Sequence, residues 1–308
     1  MNKLIGCMGN FDGVHTGHQL LIETTISKAK EENRKPVLVT FASHTRYSKS
    51  DQVFLTTCGE RNQMIKNIGI EKIVELEFPG IIASMTPKEF VLDILIQTLQ
   101  MKHIVVGENF CFGKNRSGSV ETLQQIGNQY GLEVTVVPLK KINSEVVSSS
   151  KIRELIKEDQ LVFANEMLGY PYSLSGMVVK GNQRGRTMGI PTANLHVYKE
   201  EKIKPNDGVY LTYTYIEGEV YESITHIGKK PTFNEPESVI ETFLLSYSGN
   251  FYNTELTLLW LKKIREVKKF TVKQDLVAQI KSDIKLAQRY FSDSINHLYS
   301  MPRLLKRN

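Results

Sequence analysis

The chain has 308 residues, above the size at which one core usually closes, so two domains are expected. Hydrophobic residues make up 41% and charged residues 23%, which excludes disordered, collagen-like and disulfide-scaffold chains, and apolar runs of strand length exclude a membrane-spanning helix. Thirty-nine Lys and Arg against 33 Asp and Glu give a net charge of +6, which attracts anions without saying which.

The first residues enter a glycine-rich turn without the apolar core of a secretion signal, so a cytoplasmic protein is expected. Cys7, Cys58 and Cys111 are too widely spaced for a zinc or redox pair and are expected as reduced thiols.

Over residues 1–169, β-rich runs alternate with helix-like stretches, the grammar of an α/β domain with a parallel sheet and crossover helices. Strands are predicted at residues 4–8, 36–41, 70–76, 103–107 and 132–138. The clearest helix start is Thr86, capping residues 87–99 with Glu89 as its capping-box partner, and Gly69 and Gly131 are expected as left-handed helix caps.

After Tyr170-Pro171 the texture changes to closely spaced strands at 209–215, 220–227, 239–246 and 255–261, which predicts a small antiparallel β-barrel within a second domain over residues 170–308. A C-terminal helix follows, with Leu276, Ile280, Ile284 and Phe291 on its apolar face and Thr271 as candidate N-cap.

The first strand runs into Gly9-Asn10-Phe11-Asp12-Gly13-Val14-His15-Thr16-Gly17-His18, with a helix expected from near Gln19. In an open parallel sheet, ligands bind beyond the carboxyl ends of the strands. Two imidazoles at the positive end of a helix can donate to phosphate oxygens, while glycines let the backbone approach. The alternative is that His15 and His18 only cap a turn. A second anion site is expected at Ser148-Ser149-Ser150, opening a helix over residues 151–157 with Arg153 one turn inside; a serine cap with a solvated basic face is its alternative.

Together these motifs resemble the HxGH-type nucleotidyltransferases, in particular the FMN adenylyltransferase half of the bacterial bifunctional riboflavin kinase/FAD synthetases. The resemblance extends to Ser84-Met85-Thr86-Pro87-Lys88-Glu89-Phe90 and to Val106-Gly107-Glu108-Asn109-Phe110-Cys111-Phe112-Gly113, and in order and spacing it covers nearly the whole chain. It implies attack of the FMN phosphate on the α-phosphate of ATP with release of pyrophosphate. His15, His18 and Arg153 would stabilise charge, Gly9, Phe11, Gly17, Ser148, Ser149 and Ser150 would bind nucleotide, and Asn109 would contact flavin.

In the second half, Gly181-Asn182-Gln183-Arg184-Gly185-Arg186-Thr187-Met188-Gly189-Ile190-Pro191-Thr192-Ala193-Asn194 resembles the family's riboflavin kinase motif. By that resemblance Gly181, Gly185 and Gly189 line the ATP phosphates, and Thr192 and Asn194 are the Mg²⁺ ligands. Neutral oxygen donors suit a hard cation beside a triphosphate. By the same resemblance Glu241, among Val239, Ile240, Phe243 and Leu244, matches the base that takes the ribityl hydroxyl proton, and Arg265 lies near the flavin. Asp207-Gly208-Val209-Tyr210 also matches a family segment.

The chain departs from the family pattern in places. Phe41-Ala42-Ser43-His44-Thr45 stands where the family has Phe-x-Pro-His-Pro, Asn250-Phe251-Tyr252-Asn253 replaces Asp-Leu-Tyr-Gly, and Lys229 replaces a Thr.

The expected function is therefore ATP- and Mg²⁺-dependent phosphorylation of riboflavin to FMN, then adenylylation of FMN to FAD. Two alternatives stay open: a riboflavin kinase whose altered loop has abolished adenylylation, and a flavin-sensing RNA-binding regulator. Glu241 with Thr192 and Asn194 separates the enzyme from the sensor, because binding alone requires no base. No aromatic-rich RNA motif accompanies the positive charge, so any RNA binding is expected to be weak and salt-sensitive.

Overall fold

The computed structural model describes residues 4–42, 53–77, 80–181, 189–197, 202–230, 235–247, 252–293 and 302–306. The chain forms two compact units, Met1–Lys151 with Arg303–Asn308, and Ile152–Pro302.

In the first unit a five-stranded parallel sheet is built from β1 (Leu4–Met8), β2 (Lys35–Phe41), β3 (Lys72–Leu76), β4 (Met101–Gly107) and β5 (Glu133–Val137), in the order β3-β2-β1-β4-β5. The order reverses between β1 and β4, so the loops after these two strands flank a crevice at their carboxyl ends. β1 carries Ile5 and Cys7 fully buried. Burial pushes the Cys7 thiol up to about 12.

The crossover helices are α1 (Thr16–Glu31), α2 (Cys58–Ile68), a helix beginning as α3 (Pro87–Glu89), and α4 (Val120–Tyr130). Thr86 forms the expected capping box with Glu89, but only the first turn is α-helical: from Phe90 to Thr98 the helix is of π type, closed by Leu99 N–H donating to Ile94 O. Gly131 is a left-handed cap as expected, whereas Gly69 closes α2 at φ +131°, outside that region. A second capping box, Thr57 with Glu60, starts α2.

At the other end of α2, the Asn67 amide donates to the carbonyl oxygens of Arg303 (3.1 Å), Leu304 (3.2 Å) and Lys306 (2.7 Å), so the turn at Arg303–Leu305 is part of the first unit.

In the second unit β8 (Tyr172–Val179), β9 (Ala193–Val197), β10 (Gly208–Ile216), β11 (Glu219–Lys230), β12 (Glu235–Leu244) and β13 (Glu255–Arg265) close an antiparallel barrel in the order β10-β11-β12-β9-β8-β13. The two-residue strands β6 (Lys141–Ile142) and β7 (Glu145–Val146) form a separate hairpin in the first unit.

The units divide inside α5 (Ser149–Lys157), ahead of the change in texture at residue 170, because the helix that follows belongs to the barrel. In α6 (Leu161–Leu168), Asn165 donates to Trp260 O (2.8 Å) and accepts from Tyr172 N–H (2.8 Å).

Five hydroxyls inside the barrel, on Thr212, Thr214, Ser223, Thr225 and Thr242, are fully buried and bonded to one another, with Thr212–Ser223 at 2.8 Å, Thr212–Thr225 at 2.7 Å and Thr225–Thr242 at 3.0 Å. A one-residue slip of any of these strands would break this ladder and turn the hydroxyls outward, so the ladder fixes register. On the opposite face Tyr213 meets Phe291 of α7 (Lys273–Ser292) at 5.1 Å. The N-cap of α7 is Val272 without a side-chain cap, correcting Thr271, which lies one residue too early.

Candidate active sites

The turn after β1 is held in an unusual conformation. Phe11, Gly13 and Val14 have φ of +53°, +79° and +36°, and a branched residue such as Val14 in that region stores strain of order 1–3 kcal/mol. Burial of Phe11 and Val14 at 0% exposure helps hold the turn in place. A Cβ on Gly13 would lie 2.6 Å from Leu55 Cδ1, so glycine is required there by both backbone and packing.

The helix α1 starts at Thr16, three residues before the sequence-based expectation at Gln19, because His15 is its N-cap. His15 Nδ1 accepts from His18 N–H at 3.3 Å, which leaves the neutral ring's proton on Nε2, a donor for an anion. The His15 and His18 rings stack at 3.6 Å between centroids and 13° between planes, with Phe11 5.1 Å from His18. Gly17 permits this stack, since a Cβ there would sit 3.3 Å from the His15 ring.

Burial, with His15 adding repulsion, holds His18 well below the ordinary histidine range, and its buried Nδ1 has no hydrogen-bond partner. His18 is thus a neutral imidazole, stacked on His15 at a helix N-terminus.

Both anion motifs of the first half meet at Asp12. Its main-chain oxygen accepts from Ser149 Oγ (2.8 Å), and its carboxylate accepts from the segment before α2. α5 begins at Ser149, two residues before the expected start, and Ser148 is its cap, accepting from Lys151 N–H at 3.2 Å. Ser150 and Arg153 follow in the same helix.

Across the crevice, Asn109 is exposed just beyond β4. Its loop packs on the Ser84–Phe90 segment through Lys114 N–H to Met85 O (2.7 Å) and through Gly113, where a Cβ would meet Pro87 at 3.0 Å.

Residues missed by sequence reasoning include Arg61, fully buried on α2, whose guanidinium donates to Phe41 O (3.1 Å), Glu75 Oε1 (3.0 Å) and Asn10 O (3.5 Å). It ties the ends of three strands together at the start of the altered loop, of which Ser43, His44 and Thr45 lie outside the described residues.

In the barrel, Glu241 is half-buried on β12 and sits directly between His226 of β11 and Asn194 of β9 in the antiparallel register. Directly opposed residues share a face with Cβ atoms about 4.5–5.5 Å apart, so the carboxylate and the Asn194 amide are neighbours. Alternation puts Glu241 on the face opposite Thr242, whose hydroxyl is locked in the ladder.

Gly181 lies against Asn194, since a Cβ there would be 2.3 Å from its Nδ2. Thr192 is half-buried two residues earlier on the same chain direction, and Gly189 needs its glycine at φ +75°. Gly185, Arg184 and the residues 231–233 and 248–251 lie outside the described residues. Arg265 ends β13 with Nε and Nη2 both donating to Asp283 (3.0 and 2.7 Å), itself held by Gln279 at 2.9 Å.

A parallel sheet carrying a stacked HxGH pair at its switch point, followed by a barrel with a Thr-x-Asn segment beside a strand glutamate, is a two-domain architecture suited to binding phosphate groups in each half. Residues 2–151 match the FAD synthetase family model and residues 168–291 the riboflavin kinase model. Bifunctional riboflavin kinase/FMN adenylyltransferases from Bacillus subtilis and Escherichia coli K12 are 34% and 30% identical, over 94% and 93% of this chain and 93% of each relative. A crystal structure described as a macrolide-efflux protein from Streptococcus pneumoniae has the same fold, with TM-score 0.85 at 30% identity over 93% of this chain and 94% of that one. The chain belongs to the bifunctional riboflavin kinase/FMN adenylyltransferase family. No helix among the described residues is long and apolar enough to cross a membrane.

Proposed function

We propose that this chain converts riboflavin to FMN in its barrel and FMN to FAD in its α/β unit, using ATP in both steps. In the barrel, Glu241 takes the proton of the terminal ribityl hydroxyl as that oxygen bonds the γ-phosphorus and ADP leaves. The observation carrying this assignment is the register that sets Glu241 beside Asn194.

The donor set fits Mg²⁺: Thr192 and Asn194 offer neutral oxygens, and the bare Cα of Gly181 leaves room for the Asn194 amide. Bound there, Mg²⁺ would neutralise charge on the triphosphate as the phosphoryl group transfers. Gly181, Gly185 and Gly189 line the phosphates, and Arg265, oriented by Asp283, is assigned to the flavin.

In the α/β unit, a phosphate oxygen of FMN attacks the α-phosphorus of ATP and pyrophosphate leaves. No protein nucleophile is needed, so catalysis is positioning and charge stabilisation. His15 and His18 stabilise the developing charge, and the unpartnered Nδ1 of His18 is the buried polar atom a phosphate would satisfy. Gly9, Phe11, Gly17, Ser148, Ser149 and Ser150 form the nucleotide cradle, Arg153 is its cation and Asn109 meets the flavin. A cytoplasmic location, where the substrates meet, is part of the same proposal.

The test is to incubate the purified protein with riboflavin, ATP and Mg²⁺ and to separate the flavins. FMN followed by FAD is expected. FMN alone, even with FMN supplied directly and flavin reduced or oxidised, would leave a one-activity kinase.

A further inference from the structure

We propose that Asp12 is a positioning residue of the adenylylation site, holding the His15–His18 turn and the Ser148–Ser150 helix start in one register. This rests on the adenylyltransferase reading of the first unit. Asp12 is 5% exposed, and its Oδ1 accepts from three donors: Leu55 N–H (2.9 Å), Thr56 N–H (3.0 Å) and the Thr56 hydroxyl (3.3 Å). The Thr56 oxygen in turn accepts from Gly13 N–H (3.0 Å), closing a ring that passes from the carboxylate through Thr56 back to the residue after Asp12. On the other side the Asp12 carbonyl receives Ser149 Oγ (2.8 Å).

A carboxylate three residues from His15 would repel a phosphate ligand if its charge were unspent. Here one oxygen is covered by three donors, which matches a structural anion. The turn it holds contains Phe11 and Val14 at positive φ, a conformation that persists only when surrounding contacts over-determine it. The Asp12–Thr56 ring is that constraint, and the His15–His18 stack stands on it. Removing the carboxylate lets the turn relax toward ordinary backbone, and a shift of about 1 Å in the imidazoles is enough to cost about 10²-fold in rate.

The test uses the full-length protein with Asp12→Ala, Asp12→Asn, Thr56→Val and Thr56→Ser, following pyrophosphate release from FMN and ATP. Asp12→Ala is expected to lower kcat about 10²-fold with little change in the KM for ATP. Asp12→Asn, which keeps an oxygen for Leu55 and Thr56, should lose less. Thr56→Val breaks the ring and removes one of the three donors to the carboxylate while leaving Asp12 in place, so it should reproduce part of the defect, with Thr56→Ser losing less than Thr56→Val.

Denaturant melts of each variant against the parent report that the first unit is folded, and the number of ATP molecules bound per chain reports that the sites are intact. Asp12→Ala with parent kcat would overturn the proposal, as would a raised Mg²⁺ requirement in Asp12→Asn, which would make Asp12 a metal ligand. A parent protein that makes no FAD would overturn the adenylyltransferase reading and this assignment together.

Discussion

Gly181→Ala tests the kinase site through one methyl group. The added Cβ would lie 2.3 Å from Asn194 Nδ2, 2.6 Å from Cγ and 2.8 Å from Oδ1, where ordinary contact begins at 3.4 Å, so the amide must retreat by 3.4 − 2.3 = 1.1 Å. Gly181 is not among the positive-φ residues, so alanine brings no backbone strain and the effect is confined to that displacement. The group that moves is the tip of a short side chain, so stability should change little. A 1 Å misplacement of a catalytic ligand costs about 10²-fold, or about 2.7 kcal/mol of transition-state stabilisation. Steady-state phosphorylation of riboflavin across a Mg²⁺ titration should show that loss, whereas FAD formation from supplied FMN should stay at the parent level. Parent kcat/KM for riboflavin phosphorylation in a folded Gly181→Ala protein would refute the placement of Asn194 in the site.

Further expectations follow from the same geometry. Glu241→Gln keeps shape and removes the base, so riboflavin phosphorylation should fall about 10²- to 10⁴-fold in a flavin separation assay while FAD formation from FMN persists. His18→Ala should cost FAD formation about 10²- to 10³-fold, by analogy with an oxyanion-hole donor, and spare FMN formation. His18 is held neutral in the folded state, so the unfolded chain takes up its proton first as pH falls. Its contribution to stability is constant above about pH 6.5 and declines below it, by at most about 1.4 kcal/mol per pH unit. Denaturant melts of the parent and His18→Gln from pH 5 to 7 should show a shallower decline in the variant. A thiol reagent at pH 8 should label exposed Cys111 and leave Cys7 intact until unfolding, because burial pushes Cys7 up to about 12.

The parallel sheet was legible because its buried strands are short β-rich runs between helices, and β1 falls at the expected residues 4–8. The Thr86–Glu89 box was legible because it is chemistry local to four residues. The start of α1 was not, since histidine is no usual N-cap and the cap here depends on the imidazole geometry of the site itself. Nor was the π-type stretch from Phe90 to Thr98, whose apolar residues read the same at either helical period. The barrel hydroxyls alternate along β10 and β11 as an outward face would, yet they point inward and satisfy one another. Asp12 passed as a loop aspartate because its partners, Leu55 and Thr56, are 43 and 44 residues away, and no local pattern announces them.

The grip of Asn67 on the carbonyls of Arg303, Leu304 and Lys306 makes the first unit discontinuous in sequence. During synthesis the chain through Lys151 emerges early, but the turn that completes this unit follows every described strand of the barrel. A fragment ending at residue 151 would leave the Asn67 amide without these three carbonyls. Completion of the earliest-made unit therefore waits until the strands of the barrel have been made.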